Sequence, residues 1–323
     1  MSDFRLPFQK RLCEEVALGL EGTERGGNSV GIILRGGSGR GKTHAIDLAI
    51  RSLPPRHRVG AQVITPCIRL DASALSGGNA LQAACLAQLG MGPESPRSRN
   101  PGEMERRLYG ALLTHRVQAI ILEEFHNLLL LGKPELKSRS GEFLKNLWNF
   151  NPPDAIAHWA TGGGAASGHR KLVIVISGTH EIERPFAQSP ELTSRFAITI
   201  EAPRLQMFPN DSFREFRALI REFASRFDLT ERVDPDDDAF AACCYFACGA
   251  HLRELENIFQ RADSLLRRKL QPMTSMELFA RAYRDVGARP ATLNNPFSWS
   301  AEELSLAVKR EMTGQSGRRG SHS

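Results

Sequence analysis

Gly36-Gly37-Ser38-Gly39-Arg40-Gly41-Lys42-Thr43 carries the clearest chemistry in this sequence. The spacing fits G-x-x-x-x-G-K-[ST], a loop whose glycines let backbone N–H groups curl around a polyphosphate. The amino end of the helix that follows adds positive dipole charge at the same point. In that pattern Lys42 meets the β- and γ-phosphates, and the Thr43 hydroxyl reaches Mg²⁺. A flexible Gly/Ser loop would share the composition but not the context. The apolar run Val30–Leu34 reads as a buried strand before the loop, and His44–Ile50 as a helix halted by Pro54-Pro55. The expected nucleotide contacts run from Gly36 through His44.

A second constellation lies about eighty residues downstream, where Val117–Leu122 is followed by Glu123-Glu124. A strand buried on both faces delivers carboxylates to its carboxyl end, beside bound phosphates. There the first, Glu123, holds Mg²⁺ through water, and the second, Glu124, polarises the attacking water. The usual pair is Asp-Glu, so Glu123 is one methylene longer than expected, and the rate of ATP hydrolysis is left open. By itself the pair could be a solvated strand end; the loop upstream favours the catalytic reading. Lys171–Thr179 is another apolar strand with polar groups at its carboxyl end, where ligands of open α/β sheets gather. Thr179, or failing it Ser177, is placed to orient the hydrolytic water. Arg195, just before the strand Ala197–Ile200, could reach a neighbouring subunit's nucleotide or be an ordinary surface arginine. Arg253, opening a later helix, could swing onto the γ-phosphate or pair with a carboxylate.

The elements that position these groups alternate between strand and helix up to about residue 204. Residues 1–28 form a helix, with Phe8, Leu12, Val16 and Leu20 at helical spacing, and a Gly linker. The α/β domain covers 29–204. Within it Gln62–Leu70 reads as one strand, and Pro66 confines it to a sheet edge or bulge. Helices follow at 80–89, 104–113 and 135–150, and 151–170 is a Gly/Pro-rich insertion. Residues 205–287 read as helix only. Ser212-x-x-Glu215 and Thr274-x-x-Glu277 form capping boxes there, and Asp234 is an N-cap with Pro235 at the first helical position. The tail, 288–323, holds a short helix opened by Ser300-x-x-Glu303 and a Gly/Ser/Arg-rich end from Thr313 expected to be disordered.

With 323 residues, 41% of them hydrophobic, the chain can bury a sizeable core in one large or two ordinary domains. No apolar run approaches the length of about 18 residues that spans a bilayer, and the amino terminus lacks a secretory apolar region. A soluble, cytoplasmic protein is expected, with no membrane partner. The 6 cysteines show no C-x-x-C pairing, and Cys243, Cys244 and Cys248 read as reduced core residues. A net charge of +6 is compatible with nucleic-acid binding without establishing it.

Together these features resemble an AAA+ ATPase. That resemblance rests on the phosphate loop, the apolar strand ending in an acidic pair, Ser/Thr at the next strand end, Ser194-Arg195-Phe196 before the fifth strand, and the four following helices. More narrowly, the chain resembles the TniB/TnsC family of transposition ATPases. The residues that carry this are Leu122–Leu128, Phe143–Leu147, Ile176–Glu181, Leu192–Phe196 and Phe208–Phe216. The resemblance implies an α/β AAA+ domain with a parallel five-stranded sheet flanked by helices, followed by a four-helix lid. It also implies a bacterial, nucleoid-associated regulator that binds ATP and Mg²⁺ and assembles as a hexameric ring or helical filament on duplex DNA. Such a regulator recruits a transposase and a target-selection protein. By that analogy Lys42, Thr43, Glu123 and Glu124 hold ATP·Mg²⁺, Thr179 is the sensor, and Arg195 acts in trans. DNA contact would be largely indifferent to sequence and salt-dependent, with Arg97, Arg99, Lys137 and Arg139 as candidates. Other AAA+ machines remain open, among them a secretion-associated ATPase, a replication initiator and a helicase loader. So does a nucleotide-binding switch with little hydrolysis.

Overall fold

The computed structural model describes residues 5–75, 79–92, 101–130, 134–151, 171–208, 210–268, 273–287 and 295–318. Contacts divide the chain into two units. The first is Pro7–Gly37 with Lys42–Ala202; the second is Pro203–Ser323 with Met1–Leu6 and the loop residues Ser38–Gly41.

The first unit is built on a parallel sheet of β1 (Val30–Arg35), β4 (Cys67–Asp71), β5 (Ala119–Glu123), β6 (Val173–Gly178) and β7 (Ile198–Glu201). Its strand order is β4-β5-β6-β1-β7. β-Branched and leucine-rich strands suit a sheet covered on both faces, and β6 is buried along its whole length. Ile32, Leu34, Ile120, Leu122, Ile174 and Ile176 are all fully buried. Each such side chain stabilises the unit by about 1.5–3 kcal/mol. The surrounding helices are α1 (Pro7–Glu24), α2 (Lys42–Ile50), α3 (Ala80–Gln88), α4 (Pro101–Thr114), α5 (His126–Leu130) and α6 (Pro134–Asn149). Two short helices follow β6, α7 (Glu183–Ala187) and α8 (Pro190–Arg195). Because every strand is parallel, the phosphate loop, Glu123 and Thr179 all fall at the carboxyl edge.

The single strand expected over 62–70 is instead two. Pro66 has no N–H to donate, and its carbonyl accepts from Gln118 and Ala119, so the chain changes direction there. Before it, β3 (Gln62–Ile64) pairs antiparallel with β2 (His57–Val59), a hairpin that the sequence did not announce. After it, β4 forms one edge of the main sheet, as Pro66 required. The insertion expected at 151–170 lies outside the described residues apart from Asn151.

The second unit is helical: α9 (Asn210–Arg226), α10 (Asp238–Cys248), α11 (Leu252–Arg267), α12 (Ser275–Val286) and α13 (Ala301–Arg318). Phe240, Phe259 and Phe279 form its centre, with Phe279 4.9 Å from each of the others in edge-on geometry. Cys243 and Cys244 are buried in the same core, and burial pushes the Cys243 thiol up to about 11. Thr274 and Glu277 form the expected reciprocal cap, and Ser300 with Glu303 forms another. Two expected caps are overturned. α9 begins at Asn210, which leaves Ser212 inside the helix. Asp234 instead accepts from Asp236 N in a turn, and Asp237 caps α10 through Ala239 N. The helix of the tail, α13, runs from Ala301 to Arg318. It belongs to the second unit, where the Tyr245 hydroxyl donates to Glu311 at 2.9 Å and Trp299 lies 5.4 Å from Phe246.

Candidate functional site

The loop after β1 has the backbone that its glycines permit. Gly39 and Gly41 take φ values of 72° and 82°, in the left-handed region that side chains disfavour. Lys42 opens α2 and folds back on the loop, donating from Nζ to the carbonyls of Gly36 (2.8 Å) and Gly37 (3.0 Å). At 6% exposure it is the most deeply placed cation of the site. Ser38 and Thr43 are exposed, while Gly37, Arg40 and His44 are half-buried. A bent glycine backbone, a lysine held by its carbonyls and a helix amino end fit a polyphosphate.

The amino end of α11 joins the loop within the second unit. Leu252 N donates to Gly39 O at 2.9 Å, and His251 Nδ1 lies 3.2 Å from Ser38 O. A Cβ on Gly39 would stand 3.1 Å from that imidazole nitrogen. Arg253, one residue further along α11, is exposed and makes no ion pair among the described residues. His251 was not singled out from sequence, because nothing local shows that its helix start meets a loop 213 residues away.

Glu123 ends β5 with its side chain only 12% exposed. Arg69, on β4, donates from Nε to Glu123 Oε1 at 2.5 Å and from a terminal nitrogen to Asp47 Oδ1 of α2 at 2.5 Å. Register explains the meeting: Asp71 is opposite Glu123, so Arg69 shares its face of the sheet. Burial by itself lowers the Arg69 pKa, but its hydrogen bonds to Glu123 and Asp47 outweigh this and hold it above its ordinary range. Asp47 stands one helical turn after Thr43, so Thr43, Asp47 and Glu123 offer an oxygen-rich corner of the kind Mg²⁺ uses. Arg69 already occupies part of it, and neither Arg69 nor Asp47 was anticipated.

Glu124 stands in the left-handed region at φ 50°, uncommon for a non-glycine residue. Its neighbours hold it there. Phe125 is fully buried, and its N–H donates to Ser177 O at 2.8 Å. The Glu124 side chain is 41% exposed, with Oε2 3.7 Å from His126 Nδ1. That nitrogen is buried without a hydrogen-bond partner among the described residues. The geometry separates the two hydroxyl candidates. Ser177 is buried in β6, whereas Thr179 is half-exposed beyond it and donates to Glu181 Oε2 at 3.0 Å.

Arg195 is not an ordinary surface arginine. Its side chain is 14% exposed, bonded to Glu191 Oε1 at 2.8 Å and stacked 5.3 Å above the Trp148 ring. One terminal nitrogen is buried without a hydrogen-bond partner among the described residues. Of the residues expected to touch DNA, Arg97 and Arg99 lie outside the described residues. Lys137 stands on α6 with its side chain outside the described ones, and Arg139 is exposed on the same helix.

Residues 27–186 match the family model described as AAA domain. Together with the sheet, the loop and the C-terminal helices, this defines an AAA+ P-loop fold. Solved structures agree. The ORC2 protein of Aeropyrum pernix, with ADPNP and ADP, is 14% identical at a TM-score of 0.58, over 88% of this chain and 70% of that one. The ORC1 protein of the same organism, in complex with DNA, is 18% identical at 0.58, over 87% and 66%. CDC6P of Pyrobaculum aerophilum is 12% identical at 0.60, over 88% and 70%. At these identities the likeness is one of fold. Comparison with curated protein sequences gives no match.

Proposed function

We propose that this chain is an ATP-dependent, DNA-binding regulator of transposition, with one AAA+ site that binds and hydrolyses ATP. The observation that carries the nucleotide reading is the Lys42 side chain pinned to Gly36 O and Gly37 O at the start of α2. There Lys42 neutralises phosphate charge, and the loop amides add to it. Glu124 accepts a proton from the attacking water, and the Thr179 hydroxyl orients that water. The Thr43 hydroxyl and Glu123 are the residues for Mg²⁺, which when bound neutralises charge developing on the phosphate oxygens. Arg195 serves a neighbouring subunit of a ring or filament once released from Trp148 and Glu191. Duplex DNA, a transposase and a target-selection protein are the partners this reading names, in the bacterial cytoplasm. Its finer support is the family resemblance of Leu122–Leu128, Ile176–Glu181 and Leu192–Phe196.

A second reading, a replication initiator, is favoured by fold likeness to the ORC and Cdc6 proteins that extends over both units. ATPase rate and duplex-DNA binding, measured together with ATP, ADP and a non-hydrolysable analogue, test both readings. Triphosphate-dependent DNA binding with large assemblies, and stimulation of a transposase, support the first. Binding confined to origin-like sequences moves the assignment to the second. Lys42→Ala abolishes nucleotide binding. Glu124→Gln keeps binding, blocks turnover and locks the assembly on DNA, whereas disassembly as fast as wild type would sink the general-base role.

A further inference from the structure

The described surface carries a basic region apart from the nucleotide site. Between Asp47 and Asp71 the sequence has no carboxylate, and besides Arg69, which the nucleotide site uses, it holds Arg51, Arg56, His57 and Arg58. Between Glu105 and Glu123 it again has none, and there it holds Arg106, Arg107, His115 and Arg116. The fold brings these two acid-free stretches together. Thr65 N donates to His115 O at 2.8 Å, and the Gln62 side-chain amide donates to Thr114 O. The β2–β3 hairpin is thereby fastened to the turn between α4 and β5. Burial lowers the pKa of His115, a hydrogen bond to Val63 opposes this, and the charge of Arg56 lowers it further.

Arg51, Arg56, Arg58 and Arg116 are all exposed, and none makes an ion pair among the described residues. Elsewhere arginines such as Arg35, Arg69, Arg195, Arg217 and Arg261 are each matched to carboxylates. Val59 at the hairpin end is 54% exposed, and all of β2 is exposed, while β3 carries the buried Ile64. Both stretches lead into the amino ends of parallel strands, β4 and β5, whereas the phosphate loop and Glu123 stand at carboxyl ends. The basic region and the nucleotide site thus occupy opposite edges of one sheet.

We infer that the β2–β3 hairpin and the adjoining Arg116 turn form a nucleic-acid backbone contact, with Arg56, Arg58 and Arg116 neutralising phosphates of a duplex. Guanidiniums on and beside this hairpin that make no ion pair among the described residues suit a line of phosphates, and contacts of this kind carry no base preference. The inference rests on the DNA-binding reading above and assigns its surface.

The test is anisotropy of a labelled mixed-sequence duplex with ATP, titrated over a series of KCl concentrations. Each phosphate contact removed lowers the slope of log affinity against log salt by about 0.9. Arg56→Gln/Arg58→Gln/Arg116→Gln is expected to lose about 2–3 units of slope and about tenfold or more in affinity at low salt. Binding of a fluorescent ADP stays at the wild-type level. Arg58→Gln alone is expected to lose about one unit, which keeps the test valid should the triple variant fold poorly. Wild-type affinity and slope in both variants overturn the assignment while leaving DNA binding itself standing. A wild-type chain that binds no duplex in any nucleotide state, or binds only phosphatidylserine vesicles, overturns the DNA reading and this surface with it.

Discussion

Arg69→Gln removes the cation shared by Glu123 and Asp47, and its effect can be worked from their exposure. The Glu123 side chain is 12% exposed, Arg69 35% and Asp47 40%. A hydrogen bond between charged groups at a nearly buried carboxylate contributes about 1.5–3 kcal/mol, and solvent reaching the guanidinium holds it near the lower end. The Asp47 contact is open to solvent and adds about 0.5 kcal/mol. The expected loss is about 2 kcal/mol, or about 4–8 °C in melting of a unit this size. Most of that loss comes from leaving the nearly buried Glu123 without its partner. On the proposed reading a divalent cation at Glu123 would supply the missing charge, and wild-type Arg69 would compete with it for the same carboxylate. Arg69→Gln therefore lowers the Mg²⁺ concentration needed for half-maximal nucleotide binding, by about tenfold for each 1.4 kcal/mol of competition removed. Glu123→Asp, too short to keep the same contact, shifts the Mg²⁺ requirement in the same direction with Arg69 intact. Melting without nucleotide and fluorescent-ADP binding against Mg²⁺ read the two effects separately. If Arg69→Gln melts with wild type and needs as much Mg²⁺, Arg69 neither stabilises Glu123 nor competes for it.

Phe125→Ala empties a fully buried site beside the strained Glu124 and is expected to destabilise by about 3–5 kcal/mol. A denaturant melt checks this, and a loss under about 1 kcal/mol would show that Phe125 does not anchor the turn. Thr274→Ala breaks the reciprocal cap of α12 and is expected to cost about 1 kcal/mol in the same assay. A hydrogen bond from Lys145, with Arg195 close by, holds the Glu191 carboxyl below its ordinary 4.5. Its folded pKa is the lower one, so its contribution is present above 4.5 and lost as pH falls through the depressed value. Stability measured against pH should fall less steeply in acid for Glu191→Gln than for wild type, and coincident profiles would remove Glu191 from the ion cluster.

Patterns confined to a few neighbouring residues were readable without coordinates. The loop Gly36–Thr43 declares itself because each residue has a local backbone or charge role. The apolar runs before Glu123 and Thr179 announce strands because burial on both faces demands uninterrupted apolar side chains. The box Thr274–Glu277 formed as read, whereas Ser212 and Asp234 were misplaced. Cap residues also serve turns and helix interiors, and only the surrounding chain decides which. The hairpin before Pro66 was hidden in what reads as one strand, since alternation looks the same whether the partner is a sheet or a local ribbon.

The sequence alone determined the chemistry available: a phosphate loop, two carboxylates at a strand end, a hydroxyl at the next, and a surplus of arginine. Only the tertiary structure decided how those charges are spent. It set Arg69 on Glu123 across a separation of 54 residues, drew Arg195 down onto Trp148, and left Arg56, Arg58 and Arg116 without an ion pair among the described residues. Any of these arginines could have met any carboxylate by composition. Strand register and helix placement choose the pairs, because a charged contact contributes only where geometry holds both groups within a few ångströms.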